Sequence, residues 1–278
     1  MKENNGLINK VDSLTVDEFN QNYYQKRKPV IIKNLLSLWP DLQKWNLDYL
    51  QQEIGKEKVL LQYSPNGYFK LDPKKGGNMY KSKEMLFVEY VNQLTNKKDG
   101  VGFHYLQSLS IPKQFPQLLK DIQPNSYIQG KKVMAMNFWM GSAGNVTPMH
   151  YDPMNNFLLQ IKGKKRLILI KPNYFSAMYP HPWRSPIRIM SQVEFDEPDF
   201  DKFPKLANIE YSSVELHEGE MLFLPSAWWH QVYTLELAIS VNMWWTPRWQ
   251  DCCVPAWPLC VKTKARNVLQ KNVWMACE

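Results

Sequence analysis

Thr147-Pro-Met-His150-Tyr-Asp152 is the stretch from which the architecture of this 278-residue chain can be worked out, and it is answered by His230, 78 positions beyond Asp152. His150 and Asp152 stand two apart, interleaved with Met149, Tyr151 and Pro153. Side chains at i and i+2 of a strand share a face, so one strand can turn an imidazole and a carboxylate to the same side. His230 lies in Ser226-Ala-Trp-Trp-His-Gln-Val-Tyr-Thr234, whose aromatic and β-branched residues predict a second strand. Two imidazoles and one carboxylate form the facial set that holds non-haem Fe(II) and leaves the opposite positions open. A bare His-x-Asp is a weak motif; its surroundings raise it.

Asn156-Phe-Leu-Leu-Gln-Ile161 and Arg166-Leu-Ile-Leu-Ile170 are apolar strands around the turn Lys162-Gly-Lys-Lys165. They predict a β-hairpin with Lys165 heading the return strand. Aimed into a barrel, Lys165 would pair with the distal carboxylate of 2-oxoglutarate, a charge that needs a partner once removed from water. Lys162 and Lys164 read as solvated turn residues. Glu218-Gly opens an apolar strand ending at Pro225, which sets His230 just after a sharp turn. Ala238 to Trp245 is a further strand, with Asn242 in its apolar middle where an amide needs a partner.

Gly144-Asn-Val-Thr-Pro-Met-His-Tyr-Asp152, Asn156-Phe157, Gln160-Ile-Lys-Gly163, Lys165, Ser191-Gln-Val-Glu-Phe-Asp-Glu-Pro-Asp199, Trp228-Trp-His230 and Val241-Asn242 together resemble the JmjC-type, cupin-fold 2-oxoglutarate oxygenases. Among them the resemblance is nearest to the asparaginyl-hydroxylase branch that acts on hypoxia-inducible factor, and it covers most of residues 25–247. It implies a mainly β fold with flanking helices, the double-stranded β-helix or cupin/JmjC jelly-roll barrel. It implies Fe(II) on His150, Asp152 and His230, with 2-oxoglutarate and O2 as cosubstrates. Lys165, Thr147 and Tyr105 would hold the distal carboxylate of 2-oxoglutarate, Asn156 and Asn242 would lie at its proximal end, and Gln107 would face the substrate.

Two features depart from that branch. Ile189 and Met190 stand where it carries an Arg-Gln pair that grips the target amide. An apolar pair cannot hydrogen-bond an amide, so asparagine is a doubtful target. Only about thirty residues follow Trp245, broken by Pro255 and Pro258, where that branch builds a helical dimer interface. A homodimer is therefore left open.

The formal net charge is +8 and the sequence pI about 9.1, which raises nucleic acid as a partner. The pairs Lys74-Lys75, Lys97-Lys98 and Lys131-Lys132 are scattered along the chain and read as solvated loops, since clustering marks a binding surface and total charge does not. No apolar run approaches the roughly eighteen residues of a membrane span. Met1-Lys-Glu-Asn-Asn-Gly6 lacks the apolar stretch of a signal peptide, so a cytoplasmic protein with no membrane partner is expected. Cys252, Cys253, Cys260 and Cys277 lack C-x-x-C spacing and read as free thiols in a reducing compartment.

The chain divides into an N-terminal helical and strand segment packing on the barrel (1–125), a JmjC-type cupin core (126–247) and a short tail (248–278) with a helix over 262–275. Thr15 opens a helix through a capping box, and Asn46 caps another that Gly55 stops. Asn66-Gly67 predicts a hairpin turn into Tyr68–Leu71, Ser82–Leu94 an amphipathic helix, and 181–211 an insertion that shapes substrate access. Met149, Trp139, Trp228 and Trp244 are candidates for a dry wall around the metal. The activity expected is hydroxylation of a protein side chain with release of succinate and CO2. Hydroxylation of an RNA or ribosomal target and N-methyl-lysine demethylation are alternatives of the same chemistry. A non-catalytic cupin binding module is the alternative of another class.

Overall fold

Along the strands between Val133 and Trp245, residues buried on an outer face alternate with residues turned to a shared interior. This period of two is what closes the chain into a barrel. The computed structural model describes residues 1–4, 6–33, 35–96, 102–122 and 126–248. Six short strands come first: β1 (Lys2–Glu3), β2 (Asn9–Val11), β3 (Val30–Ile32), β4 (Lys58–Ser64), β5 (Lys83–Leu86) and β6 (Phe103–Ser110). Eight follow: β7 (Val133–Gly141), β8 (Val146–Tyr151), β9 (Asn155–Lys162), β10 (Lys165–Ile170), β11 (Glu210–Leu216), β12 (Glu220–Leu224), β13 (Trp229–Thr234) and β14 (Ala238–Trp245).

The smaller sheet has the order β1-β11-β10-β13-β8, the larger β2-β3-β12-β9-β14-β7-β6-β4-β5. Within β7–β14 every pairing is antiparallel, four strands to each sheet. This is the jelly roll expected from the sequence. The segment before residue 126 extends the larger sheet at both edges and lays its helices on that sheet's outer face. Phe157, Phe223 and Val241 are buried there with Phe19, Trp45 and Leu50. The barrel interior is closed by Leu167, Leu169, Leu222 and Leu224. Met149, Ile168 and Trp229 cover the smaller sheet's outer face, beneath the segment around Met178 and Leu206. Each layer buries side chains of matching apolar character, the usual basis of a two-sheet core.

Three local expectations are corrected. First, β9 and β10 do not form a hairpin: β9 pairs with β12 and β14, and β10 with β11 and β13. The Lys162–Lys165 turn carries the chain from one sheet to the other. Gly163 takes φ +70° there, and a Cβ would lie 2.1 Å from the Leu237 carbonyl oxygen. Second, Tyr68–Leu71 does not fold back on β4, whose edges are taken by β5 and β6. Instead Gly67 and Phe69 exchange hydrogen bonds with Val146 at the start of β8. Third, the helix expected from Ser82 begins at Phe87 and runs to Thr95, because Lys83–Leu86 is used as the edge strand on β4. The helices capped by Thr15 and Asn46 form as expected. Lys97-Lys98, all four cysteines and the 262–275 helix lie outside the described residues.

Candidate active site

His150 is the fifth residue of β8, and Asp152 follows the strand's last residue. His230 is the second residue of β13, directly opposite His150. One ligand atom from each of the three lies within 4.8 Å of the others. His230 Nε2 is 3.8 Å from Asp152 Oδ2. The imidazoles are fixed by backbone: His150 Nδ1 lies 2.8 Å from the Pro148 carbonyl oxygen and His230 Nδ1 3.0 Å from that of Trp228. A proton on each Nδ1 donates to its carbonyl and leaves both Nε2 lone pairs free, the tautomer a metal ligand needs. Burial, reinforced by His150, holds the His230 pKa well below its ordinary value and keeps the ring neutral. Burial also raises the pKa of Asp152, against the opposing influence of His150 and the Trp244 indole.

The β8–β13 ladder brings further residues inside. Two residues of β13, His230 and Val232, span three steps of β8, His150 and Thr147. Without this bulge, Thr147 and His150 would point to opposite faces. With it, Thr147 reaches the Tyr105 hydroxyl, which Thr234 also meets. Tyr105 is buried, with its ring against Phe69 and Trp139. Thr234 is in turn the cross-strand partner of Lys165. Lys165 is 2 % exposed, and desolvation alone pushes its pKa down to about 7. Among the described residues, no carboxylate lies within ion-pair distance of its ammonium. A buried lysine whose cross-strand neighbour Thr234 meets the Tyr105 hydroxyl frames a recess that can receive a carboxylate.

Asn156, Asn242 and Trp244 face the interior from β9 and β14. Trp139 Nε1 donates to Asn242 Oδ1 at 2.9 Å. Asn156 Oδ1 and Asn137 Nδ2 are buried with no hydrogen-bond partner among the described residues, an acceptor and a donor left open. Gln107 sits in a bulge where β6 slips against β7 between Leu106 and Leu109. Met149 is corrected: it packs in the outer layer. Trp228 packs into the barrel interior, its Nε1 donating to the Arg27 carbonyl. Trp139 and Trp244 keep the inward position expected of them.

Ile189 and Met190 lie along the free edge of β8. Tyr151 donates its N–H to the Ile189 carbonyl, Ser191 donates to Met149, and Met190 bridges His150. Between this contact and the one at Val146, the β8 edge is bare at Pro148, which has no N–H to offer. A cleft of about 540 Å³ opens there, lined by Leu71, Met79, Pro148, His181, Ile187 and Met190 among others. Asp196, unremarked in the sequence, holds the loop: it accepts hydrogen bonds from Tyr68, Tyr233 and Gln231. Thr234 and Asn137 were missed as well. Thr234 carries no signal until its register is known, whereas Asn137, an amide within the apolar run Val133–Met140, carries the same signal that marked Asn242.

The fold and the three-residue centre define a cupin barrel with a facial metal site. The cupin-like domain family matches residues 16–251, and the chain belongs to it, in its JmjC form. Domains of this kind use Fe(II), 2-oxoglutarate and O2; the donor set at His150, Asp152 and His230 fits the iron, and the Lys165 recess fits a dicarboxylate. The chain is 33% identical over 243 residues to lysine-specific demethylase JMJ30 of Arabidopsis thaliana, a match covering 86% of this chain and 54% of that protein. It is 29% identical to the tRNA wybutosine-synthesizing protein 5 of Gallus gallus, over 87% of this chain and 78% of the relative. It is 28% identical to the human bifunctional peptidase and (3S)-lysyl hydroxylase JMJD7, over 82% and 80%. The chain spans about half the length of the demethylases it matches.

Proposed function

We propose that this chain hydroxylates a side chain of a protein, consuming 2-oxoglutarate and O2 and releasing succinate and CO2. The observation that carries the proposal is the presence, inside one barrel, of a His–Asp–His set with metal-ligand spacing and a buried lysine that has no carboxylate within ion-pair distance among the described residues. Bound Fe(II) with its cosubstrates supplies the oxidation of an unactivated C–H bond. The chain's own residues do the rest. His150, Asp152 and His230 hold one face of the metal. Lys165, Tyr105, Thr147 and Thr234 hold the far carboxylate of 2-oxoglutarate. Asn156 and Asn242 offer polar atoms at the near end. Leu167, Leu169 and Leu222 close the barrel floor against water.

Among the finer alternatives, a protein target draws support from the lysyl-hydroxylase relative, while the demethylase and tRNA-modifying relatives support N-methyl-lysine demethylation and RNA hydroxylation. Kinship with the asparaginyl hydroxylases rests on motif order alone, and the apolar Met190 opposite His150 speaks against an amide target. A cytoplasmic site of action, where Fe(II) and 2-oxoglutarate are at hand, goes with this proposal. The test is succinate formation by iron-loaded protein, followed by mass spectrometry of cellular proteins and RNA for a one-oxygen gain. Enzyme-dependent gains on protein are expected. Gains on RNA alone would move the reading to the RNA hydroxylases. Absence of succinate under all conditions would leave a binding module.

A further inference from the structure

The positive charge of this chain is not spread evenly. Residues 70–83 and 181–190 hold seven Lys or Arg and one acid, a formal +6 out of the chain's +8. The fold joins these two segments. Residues 70–79 form a tight loop pinned by the Leu71–Asn78 bridge, with Lys74 and Lys75 at its tip. The tip is drawn in by Asp72, whose side chain accepts the N–H groups of both lysines. Gly76 then packs on Pro186 so closely that a Cβ would stand 2.8 Å from the proline Cβ. Arg184 and Arg188 flank that proline two residues away on either side. The result is an arch over the cleft at Pro148.

Lys74, Lys75, Lys81 and Arg184 are exposed, and among the described residues none has a carboxylate within ion-pair distance. Arg188 stands 5.6 Å from the centroid of the Trp183 ring and has a buried Nε with no hydrogen-bond partner among the described residues. Lys70 is engaged by Glu194. Trp183 and Met79 are 41% and 46% exposed, two of only four large apolar side chains presented to solvent among the described residues. Away from the loop tip the cleft wall is acidic, with Glu194, Asp196 and Glu197 against Lys202. A polyanion is therefore directed to the arch and kept off the far limb.

We infer that this arch is a docking surface for single-stranded nucleic acid, with phosphates on Lys74, Lys75, Lys81, Arg184 and Arg188 and a base stacked on Trp183. Clustered cations beside a tryptophan that is 41% exposed supply what a single strand requires: charge for the backbone and an aromatic surface for an unpaired base. An acidic protein would use the cations but has no need of the tryptophan. The inference concerns binding alone and holds whichever bond the iron site oxidises.

The test is fluorescence anisotropy of labelled oligouridine and oligothymidine titrated with the full chain over a range of salt. Five phosphate contacts give a slope of log K against log salt of about −3.5 for a single strand. Lys74→Gln/Lys75→Gln is expected to reduce that slope by about 1.4. Trp183→Ala is expected to weaken binding by about tenfold or more with the slope unchanged. Lys26→Gln, in the exposed turn after the N-terminal helical segment, should change neither. Stronger binding of oligouridine than of oligothymidine would identify RNA as the natural strand, and the reverse DNA. No binding by the wild-type chain, or equal binding by the arch variants, would overturn the inference. So would polyglutamate competing as well as the oligonucleotides with no dependence on Trp183, which would point to an acidic protein.

Discussion

His150 and His230 face each other across the β8–β13 ladder with ring centroids 4.0 Å apart, each presenting Nδ1 to the carbonyl of the residue two places before it. The shared i−2 arrangement orients both rings before any metal arrives. One Fe(II) per chain is therefore expected, and binding to the folded state alone raises stability by about 2.7 kcal/mol at a hundredfold excess over Kd. Anaerobic titration read by thermal unfolding checks this. His150→Ala/Asp152→Ala should abolish the shift; an unchanged shift in that variant would remove these residues from the metal.

Lys165 gives a pH dependence with a definite sign. Burial has lowered its pKa to about 7, so with the recess empty the amine is neutral above that pH. A bound carboxylate favours the charged form, so binding draws in a proton once the pH exceeds about 7. Affinity for 2-oxoglutarate is then expected to fall with rising pH, by up to about tenfold per unit. Calorimetry in buffers of different ionisation enthalpy would register the proton uptake. Lys165→Ala should weaken 2-oxoglutarate by roughly 3–5 kcal/mol, the cost of stranding one partner of a buried pair, while iron still binds. Affinity independent of pH and of Lys165 would make it an ordinary turn lysine.

Thr234 joins Lys165 to Tyr105: it pairs with the first across the ladder and meets the hydroxyl of the second. Thr234→Val keeps the shape and removes the hydroxyl. About 1 kcal/mol per lost hydrogen bond corresponds to roughly a fivefold weaker 2-oxoglutarate Kd, with iron affinity unaltered. Equal Kd values for the two proteins would exclude Thr234 from the recess.

Much of this centre was legible because period two is a local property. His-x-Asp declares its common face without reference to any partner strand, and Ala238–Trp245 announces itself by alternation. What was not legible depends on which strands meet. Asn156–Ile161 and Arg166–Ile170 have the same composition whether they pair with each other or part into two sheets, so the false hairpin could not be told from the true crossover. Asn66-Gly67 signals a turn but not its destination, Val146. Thr234 acquires meaning only through register. Lys74-Lys75 looked scattered because Arg184 and Arg188 are more than a hundred residues away in sequence and adjacent only through Gly76 and Pro186.

Asp196 ties the insertion to the catalytic strands. Its carboxylate takes hydrogen bonds from Tyr233 and Gln231, which flank Val232 on β13, and from Tyr68. The same loop lies against His150 through Met190. Asp196→Ala strands these donors, costing roughly 1–3 kcal/mol where they are buried. Faster hydrogen exchange over 188–197 and a raised KM for the macromolecular substrate are expected, with little change in 2-oxoglutarate Kd. Unaltered exchange in that segment would show the loop is held by its apolar contacts alone.

Met190 settles the last prediction because its backbone is bridged to a metal-ligand residue and its side chain can offer no hydrogen bond to an amide. Ile189 beside it is partly buried against the outer layer, and Met190 lines the cleft, so polar replacements here have to be accommodated by the surrounding packing. A site built for hydrogen bonding discriminates by orders of magnitude against substrates lacking the matching group, whereas an apolar wall gains little from an amide. Poor hydroxylation of asparagine in ankyrin-type or hypoxia-factor peptides is therefore expected from the native chain. A panel of asparagine, lysine and N-methyl-lysine peptides, read by mass change, compares the targets directly. Ile189→Arg/Met190→Gln should raise asparagine turnover relative to the others. Its circular dichroism and Fe(II) affinity, measured alongside, separate a change of specificity from a loss of fold. Efficient asparagine hydroxylation by the native chain would refute the argument from Met190 and return the chain to the asparaginyl-hydroxylase branch that its motifs suggested.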